Sequence, residues 1–199
     1  MCNKRNPGAS CAAIEGINTS HAILGTSGKC VAVHPSDLAV SRVALGASVK
    51  VRGPKGERAF PVEELYRLPG GTPHLEHNLN SQEMIVEVRV PFGRYARRAR
   101  YFKVRGRASY VAIVSTAAAL DIEDGKIRAV RIACGGVGAI PWRMRICEQA
   151  LIGMPASQRA FEAAAGLASQ RTRPLAGNRY KVELLPRIIV RALELASEV

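Results

Sequence analysis

Residues 120–130 read Leu-Asp-Ile-Glu-Asp-Gly-Lys-Ile-Arg-Ala-Val and decide the fold of the second half of the chain. Asp124-Gly125 is a dipeptide that favours a hairpin turn, and apolar residues recur on both sides of it. We therefore expect antiparallel strands over about 109–122 and 126–136. The preceding run, with its aromatic and β-branched residues, predicts a further strand over about 97–105.

The pattern beyond these strands changes to a helical one. Apolar residues recur at helical spacing over 143–151, 156–169 and 181–197, and Pro155 and Pro174 separate these segments. Three strands followed by three helices predict an α+β domain in which the helices pack on one face of the sheet.

The first half of the chain predicts a helix and a small sheet. Ser36 and Asp37 precede an apolar run, which is the signal for a helix N-cap. A strand pair is expected over 47–51 and 58–62, joined by a turn of Gly-Pro-Lys-Gly. Alternating apolar and charged residues over 84–90 predict a half-buried strand.

A short helix is expected over 63–67, and Pro91-Phe92-Gly93 is typical of a domain boundary. The sequence thus predicts one domain over 1–92 and a second over 93–199. A chain of 199 residues is long enough for two small domains that each bury a core.

Composition restricts the class of protein. No apolar run reaches the roughly 18 residues that a membrane span requires, and the polar N-terminus predicts no signal peptide of the chain's own. We expect a cytoplasmic location, or a periplasmic one if a partner chain directs export. The formal net charge of +13 predicts an anionic partner, which includes nucleic acid, cofactor phosphates and an acidic subunit.

Three cysteines stand in loops rich in glycine, asparagine and proline. Cys2, Cys11 and Cys30 are separated by eight and eighteen residues. Iron–sulfur clusters are held by cysteine thiolates on such loops, whereas the alternative is that these side chains are small buried hydrophobes. A cubane cluster takes four ligands, so the fourth would lie outside this chain. Cys134 and Cys147 stand in apolar or helical surroundings and are expected to be buried thiols.

A basic run lies at the predicted domain boundary. Residues 94–107 contain six arginines and one lysine among aromatic side chains. Single-stranded nucleic-acid binders display this pattern. The interpretation that we favour is a basic strand face that docks an acidic partner subunit, and nucleic acid is the weaker alternative.

The order and spacing of short motifs resemble the flavin-binding (medium) subunits of the molybdenum hydroxylases, which include xanthine dehydrogenase, carbon monoxide dehydrogenase and aldehyde oxidoreductases. The motifs in the first half lie at 21–25, 34–38, 51–54, 56–58 and 68–70. Those in the second half lie at 101–105, Arg107, Ser109-Tyr110, 132–137, 141–143 and 180–184.

This resemblance implies a fold and a function. The first part resembles the second lobe of a PCMH-type FAD-binding domain. The second resembles the CO dehydrogenase flavoprotein C-terminal domain, with a three-stranded antiparallel sheet and a three-helix bundle. The implied function is electron transfer through FAD to an acceptor, beside a large molybdenum-cofactor subunit and a small 2Fe-2S subunit.

The segment that contains Cys2, Cys11 and Cys30 resembles one branch of this family in particular. Cys-Asn-Lys-Arg-x-Pro-Gly resembles the aldehyde oxidoreductase branch whose flavin subunit carries an additional 4Fe-4S cluster, and Cys2, Cys11 and Cys30 match three of its four ligands. The first FAD lobe and the first cluster cysteine of that pattern have no counterpart here. We therefore expect an N-terminally truncated chain that is inactive alone, with a separate chain able to supply the missing lobe.

The resemblance also implies flavin-binding residues. Gly25, Thr26 and Ser27 would form a turn near the cofactor, and Asp37 would contact its ribityl and ring region. Ile85 would lie against the isoalloxazine ring, and Lys103 would stand near the flavin, where a cation favours the reduced form. The plain alternatives are an ordinary loop, a helix cap at Asp37, a core side chain at Ile85 and a solvated lysine at Lys103. A folded module without cofactor remains the alternative function.

Overall fold

The computed structural model describes residues 1–95, 97–107 and 111–198. The start of the strand predicted over 109–122, and the Ser109-Tyr110 motif of the resemblance, lie outside the described residues. Within these ranges the chain forms one antiparallel sheet of three strands and one of four, together with four α-helices.

The first half contains the three-stranded sheet and one helix. The order of the strands is β2-β1-β3, and all neighbours are antiparallel. The helix, the hairpin, the short helix and the later strand that the sequence predicts are all present. The elements are α1 (Asp37–Leu45), β1 (Ser48–Gly53), β2 (Gly56–Pro61), a 3₁₀ turn (Val62–Leu65) and β3 (Met84–Arg89).

Two details in this half differ from the sequence predictions. Ser36, and not Asp37, caps α1, because the Ser36 hydroxyl accepts a hydrogen bond from the backbone N–H of Ala39 at 3.2 Å. The Asp37 carboxylate is therefore left to make tertiary contacts. The strand predicted as half-buried is an edge strand, and Met84 and Ile85 on it are 67% and 38% exposed.

The second half contains the four-stranded sheet, in the order β4-β5-β6-β7. Asp124 and Gly125 both have positive φ, as a two-residue hairpin turn between right-twisted strands requires. The elements are β4 (Ala99–Val104), β5 (Val114–Glu123), β6 (Lys126–Gly135), β7 (Trp142–Arg143), α2 (Arg145–Leu151), α3 (Gln158–Gly166), a 3₁₀ turn (Leu167–Ser169) and α4 (Tyr180–Ser197).

The α+β class and three C-terminal helices are confirmed, and the sheet has one strand more than predicted. Arg143 was expected to begin a helix, but Trp142 and Arg143 instead pair with Cys134 and Ala133 at the end of β6. Two residues are too few to show a period of two, so their extended conformation depends on the neighbouring strand.

Both faces of the four-stranded sheet are covered. Leu120 and Ile132 face α2, α3 and α4, whereas Ala117 and Ala133 face α1. The two halves of the chain therefore share a core, and the boundary between 1–92 and 93–199 stays a prediction. Among the residues that the structure describes, no helix has both the length and the apolar character of a membrane span.

Candidate functional site

Asp37 and Lys103 form an ion pair between α1 and β4. The Lys103 ammonium donates to Asp37 Oδ2 at 2.6 Å, and the Tyr101 hydroxyl donates to Asp37 Oδ1 at 2.8 Å. Tyr101 and Lys103 are two residues apart on one strand, so both side chains leave the same face of the sheet. Asp37 stands in the first turn of its helix, where the helix dipole also favours a carboxylate.

The electrostatics of this site favour the charged form of Asp37. Partial burial raises the pKa of Asp37, but the hydrogen bonds from Lys103 and Tyr101 outweigh it, and the net pKa is lowered. Burial, together with the charge of Asp37, raises the pKa of Tyr101 far above its ordinary value. The Asp37 side chain is 48% exposed and that of Lys103 is 19% exposed, so both remain accessible from solvent.

Gly135 and Gly136 form the inner wall of this site. Gly136 has φ +73, and a side chain there would stand 2.5 Å from the carbonyl oxygen of Ile113. A side chain on Gly135 would stand 2.6 Å from the hydroxyl of Ser115. The cavity between these glycines and residues 33–37 has a volume of about 10 Å³, which is room for one water molecule. A larger ligand must therefore approach from the open side, where Asp37 and Lys103 are exposed.

The predicted turn at Gly25, Thr26 and Ser27 lies in a loop between Leu24 and His34. Both ends of this loop contact Gly138. Leu24 pairs with Gly138, and the backbone N–H of His34 donates to its carbonyl oxygen at 2.9 Å. Gly25 has φ +63, and a side chain there would meet the ring of Trp142 at 2.6 Å. Gly25 thus serves close packing, and the flavin contact of this turn stays a prediction.

The three predicted cluster cysteines lie near one another in the N-terminal part of the chain, which we call the cysteine end. Cys2 and Cys11 face each other across an isolated antiparallel bridge. Cys30 is buried, which raises its pKa, and Cys11 and Cys2 are near enough for their charges to raise it further. Hydrogen bonds from the backbone N–H groups of Arg5 and Lys4 lower the pKa of Cys2.

Polar contacts hold this end together. Asn3, which is buried, donates through its side-chain amide to the carbonyl of Lys29 at 2.9 Å. The same turn is closed by reciprocal hydrogen bonds between Ser27 and Cys30. Over the described ranges, no three His, Cys, Asp or Glu side chains are arranged to hold a single metal ion.

Ile85 lies apart from the ion pair in the architecture. It stands on β3 in the three-stranded sheet, whereas Lys103 belongs to the four-stranded sheet. Its 38% exposure leaves the side chain available to a ligand, and its role stays a prediction. The predictions for Cys134 and Cys147 are confirmed, because both thiols are fully buried.

Sequence reasoning did not single out Tyr101 or Lys181 as functional residues. The spacing of two along a strand was the signal that would have placed Tyr101 beside Lys103. Lys181 stands four residues before Leu185, on the apolar stripe of α4, and a lysine at such a position indicates a buried partner.

Two family comparisons cover nearly all of this chain. Residues 9–93 match the FAD binding domain in molybdopterin dehydrogenase, and residues 99–196 match the CO dehydrogenase flavoprotein C-terminal domain. In the order of these two domains the chain resembles the FAD-binding subunits of the molybdenum hydroxylases. The family resemblance inferred from the sequence is confirmed.

Individual relatives refine this assignment. The aldehyde oxidoreductase FAD-binding subunit PaoB of Escherichia coli is 38% identical over 196 residues, which is 96% of this chain and 58% of that protein. Caffeine dehydrogenase subunit beta of a Pseudomonas species is 34% identical over 124 residues, which is 61% of this chain and 40% of that protein. The chain thus spans about three fifths or less of the length of these relatives.

Solved structures show the same fold. Carbon monoxide dehydrogenase from Hydrogenophaga pseudoflava, in a form that lacks the Mo-pyranopterin moiety, superposes with a TM-score of 0.70 at 26% identity. That match covers 90% of this chain and 58% of the other.

Proposed function

We propose that this chain is the flavin-side part of an electron-transfer subunit in a molybdenum-containing dehydrogenase of the aldehyde or xanthine type. The observation that carries the proposal is the ion pair between Asp37 and Lys103. Two residues that the resemblance implies separately as flavin contacts stand 2.6 Å apart. Both are accessible on one side of the protein, so a flavin ring could meet them together.

The residues present fit such a cofactor. Asp37 offers a carboxylate to hydroxyl groups, and Lys103 offers a cation to the carbonyl edge of a ring. Ile85 would supply an apolar wall, and in the turn of Gly25, Thr26 and Ser27 the backbone of the first two would supply N–H and carbonyl groups, since those of Ser27 bond to Cys30. FAD would carry the redox chemistry, and this chain would position it and adjust its potential through the charge of Lys103.

The cysteine end supports a second proposal, which is that Cys2, Cys11 and Cys30 are ligands of an iron–sulfur cluster. A cluster places several iron atoms between its thiolates, so its ligands stand further apart than those of a single ion. Backbone N–H groups at the sulfur atom of Cys2 are a feature that tunes such clusters. The fourth ligand is not assigned.

The partners that we propose are a large molybdenum-cofactor subunit and a small 2Fe-2S subunit. The basic run over 94–107 supports docking of an acidic subunit, although part of it serves the fold. Arg94 pairs with Asp121 at 3.1 Å, and Arg98 donates to the carbonyl of Ser197 at 2.9 Å. Side chains held in this way favour a fixed protein interface over a mobile nucleic-acid groove.

The testing experiment is an anaerobic absorbance spectrum with flavin, iron and sulfide assays. The chain would be purified alone and again with the products of neighbouring genes. We expect bound FAD whose affinity is lowered, but not abolished, in Lys103→Met and Asp37→Asn, and iron that is lost in Cys30→Ser but kept in Cys147→Ser. A folded protein without flavin in both preparations would refute the flavin proposal, and flavin without iron would refute only the cluster.

A further inference from the structure

Lys181 is a fully buried lysine with an unusual set of partners. Its side chain is 0% exposed at the start of α4. The ammonium donates to the carbonyl oxygens of Ser20 at 2.8 Å, His21 at 3.0 Å and Gly136 at 2.7 Å. Three donors therefore meet three acceptors, and no ion pair with a carboxylate is found for this lysine in the described part of the chain.

The carbonyl groups belong to two separate segments. Ser20 and His21 lie between Cys11 and Cys30, in a segment of 36 residues that precedes α1 and contains neither helix nor extended strand. Gly136 closes the protein side of the Asp37 site. One ammonium group thus links the cysteine-bearing segment to the wall beside the ion pair.

Neighbouring polar side chains hold the same segment but do not reach the wall. The buried amide of Asn178 donates to the carbonyls of His21 and Ala22 at 3.2 and 3.1 Å. Asn18, also buried, accepts from the backbone N–H of Gly177 at 2.8 Å. The start of α4 therefore anchors the segment several times, and Lys181 is the anchor that also binds Gly136.

An ammonium group is a costly choice for this position. Burying a charge without a counter-ion is unfavourable, and replacing buried charged groups by apolar ones is often neutral or stabilising. What a methionine could not provide is three hydrogen bonds of fixed direction between two segments. The choice of lysine is thus explained by the geometry that it fixes.

We propose that Lys181 is a positioning residue that sets the relative placement of the cysteine-bearing segment and the Gly135–Gly136 wall of the flavin site. This proposal rests on the proposed function, because only a subunit that holds both an iron–sulfur cluster and FAD would need the distance between them fixed. Lys181 would touch neither the cluster nor FAD, and it acts through its hydrogen bonds to backbone carbonyls.

The cysteines of the chain provide the readout. Cys30 lies in the anchored segment, whereas Cys134 and Cys147 lie in the core beneath the helices, and all three are buried. In Lys181→Met we expect Cys30, in protein free of iron, to react with iodoacetamide on the order of tenfold faster under native conditions, with Cys134 and Cys147 unchanged. Lys181→Arg, which keeps several donors, should restore part of the protection.

Two further variants separate positioning from general loss of stability. Ile189→Ala removes a buried apolar side chain from the same helix without removing a hydrogen bond to the segment, and it should speed the labelling of all three cysteines together. Asn178→Ala loosens the segment without touching Gly136. We expect it to expose Cys30 while leaving FAD affinity within about twofold, whereas Lys181→Met weakens FAD binding by about tenfold, or 1.4 kcal/mol.

The outcomes distinguish this inference from the proposed function. Equal labelling of Cys30, Cys134 and Cys147 in Lys181→Met would overturn the inference. So would unchanged FAD affinity in that variant when the parent protein binds FAD. A parent protein that binds no FAD would refute the proposed function. Protection of Cys30 by Lys181 would in that case show only that Lys181 anchors the segment, and not that it positions the segment relative to a flavin site.

Discussion

Lys103 Nζ lies 2.6 Å from Asp37 Oδ2, although 66 residues separate them in the sequence. One belongs to the first turn of α1 and the other to β4, so the contact fixes the helix against the edge of the four-stranded sheet. Tyr101 donates to the second oxygen of the same carboxylate. The Asp37 carboxylate therefore holds the charge of Lys103 in place, and Tyr101 on the same strand holds the carboxylate.

The first prediction concerns the charge of Lys103. Lys103→Met removes the cation and leaves the Asp37 carboxylate without its ionic partner, so the site becomes more negative. We expect the two-electron midpoint potential of bound FAD to fall by about 30 mV, which corresponds to about 1.4 kcal/mol. Spectroelectrochemical titration measures this shift. Lys55→Met, at the tip of the β1–β2 hairpin, removes an exposed charge elsewhere and should leave the potential unchanged.

The second prediction concerns the decrease in the free energy of unfolding at acid pH. The folded pKa of Asp37 is below its ordinary value of 3.8, so the unfolded state binds more protons as the pH falls through that value. The ion pair therefore stabilises the fold above about pH 4 and ceases to do so at lower pH. Because the carboxylate is 48% exposed, the contribution should stay below about 1 kcal/mol.

Urea unfolding of the parent protein and of Asp37→Asn at several values of pH measures this contribution as a difference. Other carboxylates, such as Glu83 with its pKa lowered to about 2 chiefly by Arg58, contribute equally to both proteins. A difference that does not shrink between pH 6 and about pH 3 would show that the carboxylate keeps its ordinary pKa.

The third prediction concerns the buried pair of Arg143 and Glu148. The Glu148 carboxylate accepts from the backbone N–H of Ile132 at 2.7 Å and from the Arg143 guanidinium, which also donates to the carbonyl of Val43 at 3.3 Å. Glu148→Ala leaves the Arg143 guanidinium, which is 6% exposed, with only the longer ion pair to Glu63 at 3.9 Å. We expect a loss of about 3–5 kcal/mol in the free energy of unfolding.

The control for this prediction is Arg145→Ala. Arg145 pairs with Glu63, but its side chain is 60% exposed, so its removal should cost less than about 1 kcal/mol. Equal costs in urea unfolding would contradict the assignment. Faster hydrogen exchange in α1 is expected only in Glu148→Ala, because Arg143, and not Arg145, donates to the carbonyl of Val43 in that helix.

The sequence predicts most of the fold because its signals are local. The turn at Asp124-Gly125 and the cap at Ser36 each depend on a few neighbouring residues, and their elements form where expected. Trp142 and Arg143 form a strand only because β6 offers them partners. Likewise α1 covers the second sheet face through a contact between residues far apart in the chain, which no periodicity shows.

The candidate site, like the fold, was predicted only in part from the sequence. The resemblance singles out Asp37 and Lys103, yet it does not predict that they bond to each other. The resemblance supplied their common purpose, and the fold supplied their contact. Lys181 was not singled out because its partners are backbone carbonyls, which have no signature in the sequence. A lysine on the apolar stripe of a helix was the single signal available.

The last prediction concerns the pH dependence that Lys181 gives to the fold. Burial lowers its pKa to about 8 from an ordinary 10.5, so between these values the unfolded state binds more protons than the folded state. The free energy of unfolding then rises with pH, and the gain between pH 7 and 9 should be about 1 kcal/mol. Lys181→Met cannot show this gain.

Buried thiols act in the opposite direction, which is why a difference must be measured. Burial raises the pKa values of Cys134 and Cys147 to about 12, so the unfolded chain loses their protons first and stability falls as the pH rises through about 9. Both proteins share this loss. Urea unfolding at pH 7, 8 and 9 should therefore show the parent gaining on Lys181→Met, whereas a constant difference would mean that the three carbonyl acceptors hold the ammonium charged throughout this range.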